Sequence, residues 1–476
     1  MVASIHRRLD SLDARLSWFY VRLLLLTGFS WAVHAAELVL FAFTRRLVAK
    51  SVGMGTYALE ALGAAIFVGA AMGGPLFGHI SDVRGRRSAL LLAMSLSLVG
   101  LALSAMATKH YQVIAARVVA GVGLGGELPA ATVLVQEMSP RPMRGRMVAL
   151  LEAFKGVGGV LGVALAFGLA PQLGWRATYL VICGFVVYAG VLRLSIPESP
   201  RWLASVGRVD EALQVVTELE NEHENGSQCM EKTMVQGGAL RVKPSVFDTP
   251  VHALVLWALW TVMEVSSYAL GVYVPTLISL WGFNMFERWS TMALLGLAQV
   301  FGCVLASLVI DEYGRKLPLA LFSTSAAVVA LVTSLAPWNG SFVVLGTCTV
   351  SVLLAASWSC VLVYAPENFA TEVRGRGVGY AFGFSRVGAI GGSLLYPHMF
   401  NVWKMSVPAI TWVFAGLLVV VVLGLVLPYG LDISKREDTD DLDAQGYRLL
   451  GFEPSEEGTP LVINEASPRK TQLYYS

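Results

Sequence analysis

Charge is what this chain has least of: Asp, Glu, Lys and Arg make up 14% of its 476 residues, while 55% are hydrophobic. A soluble domain gives about a quarter of its residues to charge, so the solvent of this chain is lipid. Cysteine is scarce as well. Cys183, Cys303, Cys348 and Cys360 lie in apolar runs and Cys229 in a polar stretch, without metal-like spacing, which argues against a disulfide framework or a metal site. A Gly-x4-Gly-Lys-Ser/Thr loop is missing, so ATP-driven pumping is disfavoured, and no catalytic constellation stands out. The chain therefore reads as a non-enzyme that needs no cofactor. A net charge of +2 offers no case for nucleic acid. Residues 1–19 are charged and amphipathic, unlike a cleavable signal peptide.

What is present is a series of apolar runs, each near the ~20 residues needed to cross a hydrocarbon core. Twelve are expected, at 20–43, 58–80, 88–108, 111–137, 147–170, 175–195, 251–281, 288–310, 317–337, 341–365, 376–400 and 406–431. The 47 glycines suit lipid-embedded helices that gain contact by close backbone approach. Lys and Arg gather in alternate loops, which by the positive-inside rule are cytoplasmic together with both termini; Arg45, Arg46 and Lys50 after the first span dilute the pattern. The expected organisation is a cytoplasmic segment 1–19, a six-helix half 20–197, a cytoplasmic linker 198–248 with a short amphipathic helix, a second six-helix half 249–431, and an acidic, disordered tail 432–476. Asn339-Gly340-Ser341 forms a sequon on a short outer loop, and Tyr447-Arg448-Leu449-Leu450 in the tail resembles a sorting signal that arises often by chance.

Two signatures occur twice, about 230 residues apart. Asp82-Val83-Arg84-Gly85-Arg86-Arg87 matches Asp311-Glu312-Tyr313-Gly314-Arg315-Lys316. Glu137, Arg144, Gly145 and Arg146 match Glu367, Arg374, Gly375 and Arg376, and the register continues from Phe154, Gly158 and Gly162 to Phe384, Gly388 and Gly392. Internal duplication of this kind builds many secondary transporters. An acid at the end of one span, a glycine turn and two bases at the next can latch neighbouring helix ends by charge-assisted bonds; equally, such charges can simply fix topology. Asp82, Arg86, Arg87, Asp311, Arg315, Lys316, Glu137, Arg144, Glu367 and Arg374 are the gate candidates.

These motifs resemble those of the major facilitator superfamily. Gly78-His79-Ile80-Ser81-Asp82-Val83-Arg84-Gly85-Arg86-Arg87 is similar to its inter-helix signature, with Val83 in place of a basic residue and Ser307 in the second copy where the first has Gly78. Arg117 to Gly121-Val122-Gly123-Leu124-Gly125-Gly126-Glu127-Leu128-Pro129 resembles its fourth-helix signature, and Pro197-Glu198-Ser199-Pro200-Arg201-Trp202-Leu203 the box of sugar porters and organic-ion transporters. Gly125 to Pro129, Leu150-Leu151-Glu152-Ala153-Phe154 and Arg374 to Gly379 are most similar to the bacterial niacin transporter branch and the synaptic-vesicle-related group. The resemblance implies twelve helices in two pseudo-symmetric halves, an all-α membrane protein working by alternating access. In that branch tryptophan is common where Lys155 stands here.

Ionisable residues inside the spans should face a cavity or one another, since each costs about 2.5–3.5 kcal/mol unpaired at a helix centre. His34 and Glu37 share a face of the first helix. Glu37 is the leading proton carrier, modulated by His34, unless the two merely bind helix to helix; Glu127 is an alternative carrier or a partner of Arg117 or another buried cation. Arg386 is either a carboxylate anchor or an internal partner of Glu264 or Glu37, because its planar fork matches carboxylates. Lys155 stands three residues after Glu152, which either neutralises it or leaves a second cation in the cavity. Glu264 shares a helix face with Trp260, Ser267 and Tyr268, and with Tyr273 nearby this suits an aromatic ligand, though membrane-interface belts also consume aromatics.

The expected function is proton symport of a small organic anion, niacin-like or another aromatic or heterocyclic carboxylate. The rivals are a sugar, polyol or cationic metabolite carried on the same fold, and a non-transporting receptor. The expected partners are that anion, protons and the bilayer, with the monomer as the working unit and the plasma membrane as its site.

Overall fold

The computed structural model describes residues 2–12, 16–184, 188, 191, 195–223, 246, 250–269, 289–335 and 340–422. Most of residues 224–249, the stretch 270–288, Asn339 and the tail 423–476 lie outside the described residues, and with them Tyr273, Cys229, the sequon asparagine and Tyr447.

Every described regular element is helical. A short helix, α1 (Val2–Asp10), precedes α2 (Trp18–Ser51), α3 (Thr56–Arg84), α4 (Arg86–Met106), α5 (His110–Met138), α6 (Arg144–Ala164) and α7 (Ala170–Cys183). Then come α8 (Pro200–Ser205) and α9 (Val209–His223), followed by α10 (Pro250–Tyr268), α11 (Trp289–Val309), α12 (Lys316–Leu335), α13 (Gly340–Glu367), α14 (Arg374–Asn401) and α15 (Val407–Val421). Eight described helical stretches are long and apolar enough to cross a membrane, and Ala253–Ser267 and Val407–Val419 are shorter apolar helices. One of the eight, Arg141–Cys183, holds both the fifth and the sixth expected spans. It is continuous through a π-turn at Leu165–Leu169 and is broken at Gly174, whose φ of 78° is non-helical.

The first expected span ended at residue 43, but α2 continues to Ser51. Arg45, Arg46 and Lys50 thus occupy its last turns, where cations complement the helix dipole, and do not form a loop. The expected amphipathic linker helix is α9, whose Ala212, Val215, Val216 and Leu219 are buried.

Glycine sets how the halves meet. Helix α3 crosses α14, and α6 crosses α11, and these two close crossings frame the seam. A Cβ added at Gly74 would lie 2.5 Å from the Gly379 carbonyl oxygen, and one at Gly156 2.5 Å from that of Gly296. Side chains at these points would hold the backbones apart, and backbone approach is what binds helices in lipid. Large apolar residues such as Met72, Leu76, Leu297 and Phe301 are exposed on the outer faces of the same helices, where acyl chains replace water.

Candidate functional site: a candidate gate and a buried charge network

The gate forms where the two repeated signatures face each other. Gly85 ends α3 with φ 100° and Gly314 follows α11 with φ 79°, left-handed turns that favour glycine and swing the following bases back over the helix end. Asp82 then reaches across the seam. Its carboxylate accepts the backbone N–H groups of Gly375 (2.9 Å) and Arg376 (3.0 Å), the Arg376 Nε (3.0 Å) and Arg86 Nη1 (3.2 Å). The second copy mirrors this: Asp311 accepts from Gly145 N (3.1 Å) and Arg146 N (2.8 Å) and pairs with Arg315 at 3.0 Å. Each aspartate therefore caps the first turn of a helix in the opposite half, where free N–H groups and the dipole favour an anion. The helix must start with glycine there, because a Cβ on Gly375 would stand 2.7 Å from Asp82 Oδ1 and one on Gly145 2.3 Å from Asp311 Oδ1.

Glu137 is bonded as heavily as Asp82. Fully buried, it takes a fork from Arg86 (Nε and Nη2, both 3.0 Å), Nη1 of Arg374 (3.0 Å) and the Ser199 hydroxyl (2.5 Å). Glu367 takes the corresponding fork from Arg315, with Nη2 at 3.0 Å. The backbone N–H groups of Arg86 and Arg87 donate to Glu198 of the Pro197–Leu203 box, and Trp202 Nε1 donates to the Asp82 carbonyl. Burial raises the Glu198 carboxyl above the ordinary range against these donors. Lys316 opens α12. Asp10, Ser199, Arg201 and Arg376 were not among the expected gate residues; Arg201 and Ser199 lie inside the quoted box, whereas Asp10 had no sequence signal.

Deeper in the membrane the charges pair within each half. Glu37 and Arg117 are joined at 2.8 Å, and the Arg117 guanidinium lies between the rings of Phe41 (4.5 Å) and Tyr179 (4.6 Å). Of the partners open to Glu127, Arg117 is not the one: it bonds Glu37 and stands about 15 Å from Glu127 along the axis of α5. His34 serves Glu127, with Nδ1 to Oε2 at 3.7 Å, rather than Glu37. Ser30, His34, Glu37, Ser97, Glu127 and Tyr188 line one small cavity inside the first half. On α6, Lys155 pairs with Glu152 at 3.2 Å, and Trp31 Nε1 donates to the other Glu152 oxygen at 2.9 Å. Arg386 pairs with Glu264 at 2.7 Å and stacks over Phe382. Each of these two cations thus has a carboxylate partner within its own half.

These last two pairs approach one another across the seam. Lys155 lies within electrostatic range of Glu264 and Arg386, and its ammonium sits 5.8 Å from the Trp358 ring of the second half. Its side chain remains 41% exposed, unlike its buried partner Glu152. Trp358 Nε1 donates to Ser267 at 2.9 Å and packs edge-on against the buried Trp260. Tyr268 ends α10.

A sequence profile of the sugar (and other) transporter family matches residues 19–427. The chain belongs to this family. Among its relatives, the niacin transporter NiaP of Acinetobacter baylyi is 27% identical over 80% of this chain and 87% of its own length. The synaptic vesicle 2-related protein of Xenopus laevis is 25% identical over 93% of this chain and 85% of its own. Among solved structures, the major facilitator proton:xylose symporter XylE, bound to 6-bromo-6-deoxy-D-glucose, superposes with a TM-score of 0.72 at 18% identity, covering 90% of this chain and 99% of that one. The transporter thus has the major facilitator fold, an all-α membrane architecture, and it is not an enzyme.

Proposed function

We propose that this transporter carries a small organic anion, an aromatic or heterocyclic carboxylate, in symport with protons. The observation that carries this reading is the balanced set of charges at the seam: Lys155 with Glu152, and Arg386 with Glu264. A substrate carboxylate entering beside Arg386 adds one negative charge to a set already neutral. In a low-dielectric cavity that surplus is costly unless a proton arrives with it. Anion and proton are therefore linked by the electrostatics of the site.

The proton has a place to ride. In the cavity lined by Glu37 and Glu127, Glu37 faces a full cation while the ion-pair partner of Glu127 among the described residues is His34. A lone buried carboxylate is not tolerated, so Glu127 and His34 hold one dissociable proton between them. Glu37 can take a second when Arg117 is left to the rings of Phe41 and Tyr179, which hold a guanidinium without a carboxylate. The likeness to a niacin transporter agrees with a carboxylate substrate, and the wider likeness to a proton:xylose symporter agrees with the coupling.

Proteoliposomes given labelled nicotinate as the probe test the reading. Uptake should rise with an inward proton gradient and collapse with a protonophore, and Glu37→Gln should abolish accumulation while sparing exchange. Uptake indifferent to pH and to the gradient would overturn the coupling. The aromatic and hydroxyl groups of Trp260, Trp358 and Ser267 favour a second reading, a sugar or polyol. Arg386→Ala separates the two, since it should weaken a carboxylate at least tenfold and leave a neutral sugar bound.

A further inference from the structure

The two copies of the gate are not equivalent, and the difference centres on Arg144. Its counterpart Arg374 crosses the seam to Glu137 at 3.0 Å, and its Nε donates to the carbonyls of Pro366 (3.0 Å) and Phe369 (3.3 Å). By the repeat, Arg144 belongs on Glu367. Instead its Nη2 donates to Asp10, at 3.1 Å, and its buried Nε has no partner. The carbonyls of Gln136 and Ser139, which match Pro366 and Phe369, do not receive it. Glu367 is left with Arg315 as its ion-pair partner, although it is buried and lies within electrostatic range of Arg144.

Asp10 is the last residue of α1, and that helix is firmly seated. Ile5 and Leu9 are fully buried, and Arg8 bonds Glu220 and Thr217 of α9. The Asp10 carboxylate also accepts from Arg201 Nη2 at 2.6 Å and from the Arg141 backbone N–H at 3.1 Å. All of these partners belong to the first half or the linker, so none of the Asp10 bonds joins the halves.

We infer that Asp10 is a positioning residue of the transport cycle: the N-terminal helix diverts Arg144 from Glu367 and so withholds one of the ion pairs that close the cytoplasmic gate. The second gate copy is consequently weaker than the first, and undocking α1 tightens it. The inference uses only the gate and stands whatever the substrate is.

The test uses the full chain in nanodiscs, with the native cysteines replaced and spin labels at Arg84→Cys and Tyr313→Cys, two exposed sites at cytoplasmic helix ends of opposite halves. Pulsed electron spin resonance then reads the ratio of short (closed) to long (open) distances. Asp10→Asn should raise the closed-to-open ratio about tenfold, the effect of one added charge-assisted pair. Asp10→Glu should restore the original ratio, and Glu367→Gln combined with Asp10→Asn should cancel the rise. A purely structural role for Asp10 would lower thermal stability without this dependence on Glu367. An unchanged ratio, or a shift to the long distance, would overturn the inference.

Discussion

The gate and the intramembrane network use the same residue types and wire them in opposite ways. At the gate end Asp82, Asp311 and Glu137 all bond to the other half of the molecule. Within the membrane every described ion pair closes inside one half: Glu37 with Arg117, His34 with Glu127, Glu152 with Lys155, Glu264 with Arg386. In the transport cycle proposed above, the bonds between the halves are the ones that rocking would break, and they lie at the helix ends where water can reach the freed charges. The inner pairs, which water could not replace, would ride unbroken within each half. Lys155 is the partial exception, since its ring contact with Trp358 spans the seam.

Mutations can break or sharpen that contrast. The largest effect is expected from Glu137→Gln, which strips a buried acid from both Arg86 and Arg374. Thermal unfolding should show a loss of about 3–5 kcal/mol, with uptake abolished. Arg117→Gln should also destabilise, by about 2–3 kcal/mol given the hydrogen-bonded charge it removes, yet leave the Arg84 to Tyr313 label distances unmoved. Movement there would mean that the inner pairs do speak to the gate. Gly375→Ala and Gly145→Ala should each cost about 1–3 kcal/mol of closed state by overpacking, seen as a shift to long label distances. Tyr179→Phe removes the 2.9 Å bond to Thr44 but keeps the ring on Arg117, so about 1 kcal/mol should be lost with transport retained. The smallest change concerns Glu198. Because burial raises its carboxyl, its contribution is fully present below the ordinary carboxylate range and fades as pH rises through the raised value. Glu198→Gln should flatten that slope in unfolding scans across the acid range.

Much of this was legible in the chain. The repeat gave the two halves, and the matched positions of Glu137 with Glu367 and of Asp82 with Asp311 led directly to the ion-pair cluster at the helix ends. The partners were less legible. Helical spacing placed His34 and Glu37 on one face, but α2 is wedged between neighbours, and a three-residue step sends one side chain toward Glu127 and the other toward Arg117. No periodicity within α2 carries that information. At the 230-residue offset Lys155 and Arg386 fall one residue apart in equivalent helices, and in the structure they lie within electrostatic range of each other, while their neutralisation by Glu152 and Glu264 depended on rotamers. Asp10 was beyond reach because it belongs to no repeat and its bonds are long-range in sequence.

Pairing of the inner charges within each half also bears on how the protein is made. The translocation machinery releases apolar segments into lipid in order, and the first six leave before the last six exist. Since Glu37, Glu127 and Glu152 each find their counter-group among helices that precede α8, the early half can enter the bilayer without waiting for its twin. The late half brings its own cation for Glu264. Among the described residues, the glycine-lined seam and the bonds at the gate end remain to be made once both have arrived, so the two halves, synthesised as separate polypeptides, should insert independently and assemble into a working carrier.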